Sequence, residues 1–376
     1  MLAIGRFYDD RLQYEGFNIS ILLSSIYCII TYYIVFLFGR HELNKAKIFQ
    51  YIFFVFVIIS NLMLWIIYGL NDYGLSKFLD FVLITMPISI VISQVFKNKD
   101  IKYLLYVIFG VSIFLLFISL INVSDLILER QGVLGGGPIV LSRWLGIGAL
   151  ISFFYKPIKR YRLVLFPAFI VMSLLTGSRG PIAAIFIVML IHFFFNFKRL
   201  FLKTLLVLSL VIIAIFASGI HNQFLEIKTV SRVFMNMSEG GLAQSTEGRS
   251  ILIQSSFEQI FKHPMGVGFG NWQDFSHLRS YFLTKDLFYP HNVFLEIFCE
   301  LGVLVGIIFV IYVLIIFFYS FTLFIRNKND LFQVLFYIFA FLMFNSMISG
   351  DFSDARMLFV FMSLISIKGL NYVNNL

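Results

Sequence analysis

The chain has 376 residues, of which 60% are hydrophobic and 13% are charged, and its mean hydropathy is +0.91. A soluble domain of this length could not bury so much apolar surface, so the composition excludes a soluble globular protein and predicts that lipid surrounds most of the chain. The formal net charge of +9 is explained by membrane topology and does not require a nucleic-acid partner. Cys28 and Cys299 have no metal-ligand spacing, so they predict neither a zinc site nor a disulfide framework.

Apolar segments of membrane-spanning length recur along the chain. A helix rises about 1.5 Å per residue, so a hydrocarbon core of about 30 Å takes roughly 20 residues to cross. This measure predicts an all-α, polytopic membrane bundle of about eleven transmembrane helices. The predicted spans are residues 18–38, 48–69, 78–96, 101–121, 138–155, 163–177, 181–196, 202–219, 302–325, 331–349 and 355–370. The sixth and seventh are short and meet at residues 177–181, where we expect tilt or partial insertion.

Basic residues fall mainly in alternate loops, which predicts the orientation because Lys and Arg resist translocation. The loops predicted to face the cytoplasm, with the carboxyl-terminal tail, carry Arg40, Lys45, Lys47, Lys97, Lys99, Lys102, Lys156, Lys159, Arg160, Arg162, Lys198, Arg199, Lys203, Arg326, Lys328 and Lys368. The opposite short loops carry fewer, chiefly Lys77, Arg130, Arg179 and Arg356. The amino terminus and the 350–356 loop are therefore predicted to face outward.

The run of spans is interrupted once, between residues 219 and 290, and this predicts the domain organisation. Residues 1–219 are predicted to form spans one to eight, and residues 220–290 one large, partly helical extracytoplasmic loop. Residues 291–376 are predicted to form an outward helix start and spans nine to eleven. Connections in such bundles are usually short, so we expect a long one that holds most of the polar residues to carry the function.

Two elements are predicted inside the long loop. Residues 249–262 have the pattern of an amphipathic helix, with a Ser or Thr just before it as the cap. Arg249 in its first turn would point toward an anion at the membrane surface, unless it is a solvated charge. Residues 263–270 are rich in glycine, but no strand precedes them, so they predict a structural turn and not a nucleotide site.

The pattern from His291 to Ile325 predicts one continuous helix about 52 Å long, which exceeds the thickness of a bilayer core. Its first part is expected to project outward or to lie within the mouth of the bundle. Glu296 and Glu300 are four residues apart and therefore share one face. A histidine and two carboxylates beside an apolar span are candidates for acid–base chemistry.

Three further arginines lie in or beside predicted spans, where a guanidinium is costly unless it reaches water or an anion. Arg179 lies in a Gly/Pro-flanked turn, and snorkelling toward water is the alternative to a function. Arg143 follows a Gly-Gly-Gly-Pro stretch, which predicts a broken or re-entrant helix lining a cavity. Arg356 shares an outward loop with Asp351, where the two residues form either a structural ion pair or part of a site.

Three motifs follow one another on the predicted outer side of the chain. They are Gly177-Ser178-Arg179-Gly180, an arginine-led helix that ends in His263-Pro264-x-Gly266-x-Gly268, and His291-Asn292-x-x-Leu295-Glu296-x-x-x-Glu300-x-Gly302. Taken together, they resemble the O-antigen polymerase and O-antigen ligase superfamily of bacterial envelope glycosyltransferases.

The branch of the superfamily is suggested by smaller features. The ligase branch has a threonine three residues after the glycine that matches Gly302, where this chain has Val305. The Gly-Gly-Pro stretch before Arg143 and the Ser-Gly-Asp stretch before Arg356 look more like the polymerase branch.

The resemblance implies a GT-C-like, multi-pass glycosyltransferase of the bacterial inner membrane, with its active site facing the periplasm and no metal or other cofactor. The implied substrates are undecaprenyl-pyrophosphate-linked oligosaccharides, held in contact with membrane lipid. A chain-length regulator and a flippase are expected partners, and nucleic acid is not.

The chemistry of such a transfer assigns roles to the candidate residues. Negative charge builds on the departing pyrophosphate, and guanidinium groups neutralise such oxygens in a bidentate manner. The attacking hydroxyl loses a proton, which an imidazole or a carboxylate can accept. The predicted pyrophosphate ligands are Arg179 and Arg249, followed by Arg143 and Arg356. The predicted catalytic residues are His291, followed by Glu296 and Asp351, and the secondary candidates are Asn292, Glu300 and Arg279.

We therefore predict a polysaccharide polymerase that transfers a glycan onto a lipid-linked repeat unit by a single inverting displacement. One alternative is an O-antigen ligase that transfers the glycan to lipid A core. A transporter of lipid-linked sugars is less favoured, because the sequence shows no internal repeat and its charges gather at one membrane face.

Overall fold

The computed structural model describes residues 13–14, 17–39, 43–97, 100–123, 137–196, 246–278, 289–326 and 330–373. The chain divides into two compact units. The first unit comprises Met1–Tyr106 and Gly240–Leu376, and the second comprises Val107–Glu239. The predicted division at residues 219 and 290 stays a prediction.

Regular structure in the described residues is helical, apart from one hairpin in which Gln13 pairs with Asn18 and Tyr14 with Phe17. The α-helices in chain order are α1 (Ile19–Phe38), α2 (Lys45–Tyr68), α3 (Asp72–Asp80), α4 (Met86–Val95), α5 (Asp100–Ile121), α6 (Pro138–Phe154), α7 (Arg162–Leu175), α8 (Arg179–Asn196), α9 (Thr246–Lys262), α10 (Trp272–Phe275), α11 (Val293–Leu301), α12 (Val303–Arg326), α13 (Asp330–Ile348) and α14 (Arg356–Val373). Five π-helical residues, Phe81–Thr85, join α3 to α4, and short 3-10 turns precede α7 and α14.

Seven helical stretches of the described chain are long and apolar enough to cross a membrane. They are Ile21–Phe38, Lys45–Tyr68, Asp72–Val95, Asp100–Ile121, Arg179–Asn196, Val303–Arg326 and Asp330–Ile348. Helices α6 and α7 meet the same criterion together but are bent by 105°, as in a broken span or a re-entrant loop, and would raise the number to eight. The prediction of a helical, polytopic membrane protein is confirmed. The number eleven stays a prediction, and the span predicted at residues 202–219 lies outside the described residues.

The core of the first unit is aromatic. The ring of Phe53 on α2 stacks on Phe359 of α14 at 5.8 Å and lies 5.2 Å from Phe309 of α12. Phe81, in the π-helical segment, packs edge-on against Phe54 at 5.4 Å. These rings bury large apolar areas, so helices that are distant in the sequence are held together at one centre.

The second unit is organised by α6, which is mostly apolar and largely buried, and which also buries Arg143. The hydroxyl groups of Ser142 on α6 and Ser173 on α7 are 2.6 Å apart and share a hydrogen bond. A Cβ on Gly148 would come within 2.7 Å of the ring of Phe169, so the small residue lets α6 and α7 approach closely.

The prediction of one continuous helix from His291 to Ile325 is wrong. Helix α11 ends at Leu301, Gly302 follows with a φ of 91°, and α12 starts at Val303. The turn after α9 packs into this break, and the N–H of Val303 donates to the carbonyl of Pro264 at 2.9 Å. A Cβ on Gly302 would collide with the carbonyl of Met265, so the tertiary contact requires glycine here.

The helix and the turn predicted inside the long loop are present where the structure describes it, but the helix begins at Thr246, three residues earlier than predicted. Helix α9 ends at Lys262, as expected, and residues 263–270 form a turn. Leu252 of α9 and Trp272 of α10 are buried together with Cys299 of α11. Residues 220–245 and 279–288 of the predicted loop lie outside the described part of the chain.

Candidate functional site

A buried lysine holds two glutamates of the predicted site. The Nζ of Lys77 on α3 donates to both carboxylate oxygens of Glu300, each at 3.0 Å, and to Oε1 of Glu296. The side chains of these three residues are at most 1% exposed. Buried charges persist only when they are paired and hydrogen-bonded, so the three side chains form one electrostatic unit, which we call the Lys77 cluster.

Backbone N–H groups complete the Lys77 cluster. The N–H of Phe352 donates to Oε2 of Glu296 at 2.9 Å, and the N–H of Gly270 donates to Oε1 of Glu300 at 3.1 Å. Each glutamate therefore links α11 to a different loop. Burial raises the pKa of Glu296 well above the usual carboxyl value, against the opposing effect of Lys77. Burial raises the pKa of Glu300 in the same way.

Helix α11 brings the two glutamates to Lys77 because they are one turn apart on a short, well-capped helix. The side chain of Asn292 accepts hydrogen bonds from the N–H groups of Phe294 at 3.0 Å and Leu295 at 3.1 Å. This is an N-cap, which starts the helix and satisfies donors that have no intrahelical partner. Asn292, a secondary candidate from the sequence, is thus placed as a capping residue.

Asp351 lies beside the Lys77 cluster in the loop between α13 and α14. Its Oδ2 accepts a hydrogen bond from the hydroxyl of Tyr73 at 3.2 Å, and its Oδ1 accepts one from the N–H of Asp354 at 2.8 Å. Lys77 stands over the Tyr73 ring, 4.6 Å from its centroid. The structure therefore brings Asp351, Glu296 and Glu300 together around two neighbouring residues of α3, Tyr73 and Lys77.

Arg356 pairs with a residue that is far away in the sequence. Its Nη2 donates to Oδ2 of Asp80 at 3.3 Å, and its Nε donates to the carbonyl of Ser353 at 3.0 Å. Both side chains of the ion pair are at most 10% exposed. The ion pair that the structure shows for Arg356 is with Asp80, and it fixes the start of α14 to the end of α3.

His291 has an unusual backbone conformation for a residue with a side chain. Its φ is 54°, in the left-handed region that favours glycine. The imidazole is half-buried and lies against the ring of Tyr289, with the two centroids 4.2 Å apart. Residues with a strained backbone conformation cluster at functional sites, so this conformation supports a functional role for His291 but does not identify that role.

Arg249 lies close to the Asp351 loop. Its Nη1 donates to the carbonyl of Ile348, the last residue of α13, at 3.3 Å. That carbonyl is at a helix carboxyl end, where the dipole favours a cation. The guanidinium is thereby placed at the start of the segment that leads to Asp351.

The remaining predicted residues lie elsewhere. Arg143 is buried on α6, and Arg179 is the half-buried first residue of α8, so both belong to the second unit. Whether they meet Arg249 and His291 stays a prediction. Arg279 lies outside the described residues.

Sequence reasoning missed Lys77 and Tyr73 as site residues. In the sequence, Lys77 stands out only as one of the few basic residues in the loops predicted to face outward. One signal was present: Lys77 and Asp80 are three residues apart at the start of an apolar span, a costly position for charges that are not paired. In the part of the chain that the structure describes, no group of three or more His, Cys, Asp or Glu residues has an arrangement that would hold a metal ion.

Comparison with known proteins points to the same region. A family model described as O-Antigen ligase matches residues 163–310, less than half of the chain. No curated protein matches the sequence. The matched segment includes α11, with both glutamates of the Lys77 cluster, and supports a relationship to the O-antigen ligase superfamily. It does not separate the polymerase branch from the ligase branch.

Proposed function

We propose that this protein is a polysaccharide polymerase of the bacterial inner membrane. It transfers a growing glycan from undecaprenyl pyrophosphate onto the terminal sugar of a lipid-linked repeat unit at the periplasmic face. The observation that carries the proposal is the Lys77 cluster. This cluster holds α11, which follows His291, and the loop that contains Asp351 against α3. Helix α11 lies within the segment that matches the O-antigen family model, and the other two elements lie outside it.

His291 is the proposed acceptor of the proton from the attacking hydroxyl. It is half-buried, so a substrate can reach it, and imidazole is the side chain that most often serves as a general base. Asp351, which Tyr73 holds in place, is the second candidate. Glu296 is fully buried and both of its oxygens accept hydrogen bonds, so we assign it a positioning role.

The proposed reaction is a single displacement. The acceptor oxygen forms a bond to the anomeric carbon while the bond from that carbon to the pyrophosphate oxygen breaks, and the hydroxyl proton passes to His291. Negative charge collects on the departing pyrophosphate, and Arg249 is the ligand that we propose for it within the first unit. Arg356 is already paired with Asp80, so we propose that it orders the loop.

The test uses purified protein in lipid with an undecaprenyl-pyrophosphate-linked repeat unit, and the products are separated by gel. We expect a ladder of longer glycans with the natural protein and none with His291→Ala. The matched control is His277→Ala, an exposed histidine of the long loop that pairs with Glu258 at 3.1 Å, and it should keep the ladder. Unchanged repeat units from the natural protein, beside an active control polymerase, would contradict the proposal.

A ligase is the second candidate, because the matching family is described as O-Antigen ligase. The two functions differ in the acceptor. In this test, lipid A core is supplied together with a lipid-linked glycan. Transfer of the glycan to the core would identify a ligase, provided that the transfer requires His291 and the repeat unit is not extended.

A further inference from the structure

We propose that the bend between α6 and α7 forms a binding site for the headgroup of an anionic diacyl phospholipid. An open cavity of about 500 Å³ lies at this bend, within the second unit. Its lining consists of Lys159, Arg160, Arg162 and Leu163. Three of these four residues are cations, and phosphate oxygens are the ligands that guanidinium and ammonium groups favour.

The positive charge at the bend has no acidic counterpart nearby in the chain. Residues 137–196 contain no Asp and no Glu, whereas they contain six Lys and Arg residues, three of which line the cavity.

 The orientation rule accounts for positive residues at this bend, but it does not require that they line a cavity. An excess of positive charge around an open cavity predicts an anionic ligand.

The bend is built as a fixed scaffold. The N–H groups of Ile158 and Lys159 donate to the carbonyl of Tyr155, at 3.0 Å and 2.9 Å. Tyr155 and Ile158 are each 7% exposed, so they anchor the turn while the cations beside them point outward. A site that is already ordered loses little conformational entropy when it binds a ligand.

The surroundings of the cavity favour a lipid over a free anion. Leu163 is 82% exposed and Val164 is 72% exposed, directly after the basic residues, where acyl chains would cover them. The guanidinium of Arg160 lies 4.6 Å from the ring centroid of Tyr161, an arrangement suited to the membrane interface. The charge pattern predicts that this side is cytoplasmic, and basic pockets beside membrane helices are known binding sites for anionic headgroups.

The test measures lipid retention by the purified full-length protein with native mass spectrometry, so it does not depend on the proposed glycan transfer. The probes are phosphatidylglycerol, phosphatidylcholine and inorganic phosphate. The pocket variant is Lys159→Gln/Arg160→Gln/Arg162→Gln. The control variant, Lys97→Gln/Lys102→Gln/Arg326→Gln, removes the same charge from other loops on the same predicted side.

We expect the natural protein and the control variant to retain phosphatidylglycerol in preference to phosphatidylcholine. The pocket variant should lose that retention by at least about tenfold, and Arg160→Gln and Arg162→Gln alone should each lose part of it. Equal losses in the two triple variants, or equal retention of the two lipids, would overturn the proposal. Displacement of phosphatidylglycerol by millimolar inorganic phosphate would also overturn it, because the site would then select phosphate and not a lipid.

Discussion

Lys77 and Glu300 are 223 residues apart in the chain, yet the Nζ of Lys77 lies 3.0 Å from both carboxylate oxygens of Glu300. Together with Glu296, this pair joins α3, α11 and the two loops whose N–H groups complete the cluster. The candidate site is thus organised by a buried polar cluster, and two loops donate backbone hydrogen bonds to it.

Replacing Lys77 by Met should destabilise the protein by about 3 to 5 kcal/mol, because two buried glutamates lose the cation that donates hydrogen bonds to both of them. The measurement is thermal unfolding in detergent, with Lys97→Met, an exposed lysine, as the control. The triple variant Lys77→Met/Glu296→Gln/Glu300→Gln should be more stable than Lys77→Met alone. Equal stability of Lys77→Met and Lys97→Met would show that the cluster does not stabilise the fold.

The stability of the protein should fall as the pH rises above the usual carboxyl range. The pKa values of Glu296 and Glu300 are raised in the folded protein, so the folded state keeps protons that the unfolded chain releases. The stabilisation is complete below the ordinary pKa and is lost as the pH rises through the raised values. The check is the Tm of the natural protein between about pH 4 and pH 8.

Glu296→Gln should make this dependence on pH weaker, because the amide does not titrate. Glu258→Gln, which changes an exposed carboxyl, 41% exposed, is the control variant. A slope that is the same in all three proteins would exclude Glu296 as its source.

Several features of the fold could be predicted from the sequence because they depend on local patterns. Apolar runs and glycine-rich stretches indicated the helices, the end of α9 at Lys262 and the turn after it. The position of Lys77 could not be predicted in this way, because its partners lie 219 and 223 residues away. The break at Gly302 was missed because glycine is tolerated within helices, and only the packing of the 264–266 turn requires the positive φ.

The hydroxyl of Tyr73 should affect catalysis more than stability if Asp351 assists proton transfer. Tyr73→Phe removes the hydrogen bond to Oδ2 of Asp351, and we expect kcat to fall by up to about tenfold with KM unchanged. Tyr68→Phe is the control, because that ring packs against His263 and Phe275 and would keep its contacts. Equal kcat values for the two variants would remove Asp351 from the mechanism.

The Asp80–Arg356 ion pair should behave as a coupled unit. Asp80→Asn and Arg356→Gln each leave one buried charge without its partner. The loss of unfolding free energy in each single variant should therefore exceed half the loss in the double variant. The coupling free energy in the double-mutant cycle should be about 1 kcal/mol or more, measured by thermal unfolding. Additive effects would mean that Arg356 is available for another partner, such as pyrophosphate.

Gly302 and Gly69 provide a matched pair for the last prediction. Both end a helix in nearly the same conformation, with φ and ψ of 91° and 168° at Gly302 and of 89° and 160° at Gly69. Alanine at Gly69 meets no atom within 4 Å, so Gly69→Ala should cost only the backbone strain, about 1 to 3 kcal/mol. Alanine at Gly302 would also collide with the carbonyl of Met265, so Gly302→Ala should be clearly less stable in thermal unfolding and should lower the proposed transferase activity by displacing α11. If the two variants unfold at the same temperature, the turn after α9 is not packed into the break between α11 and α12.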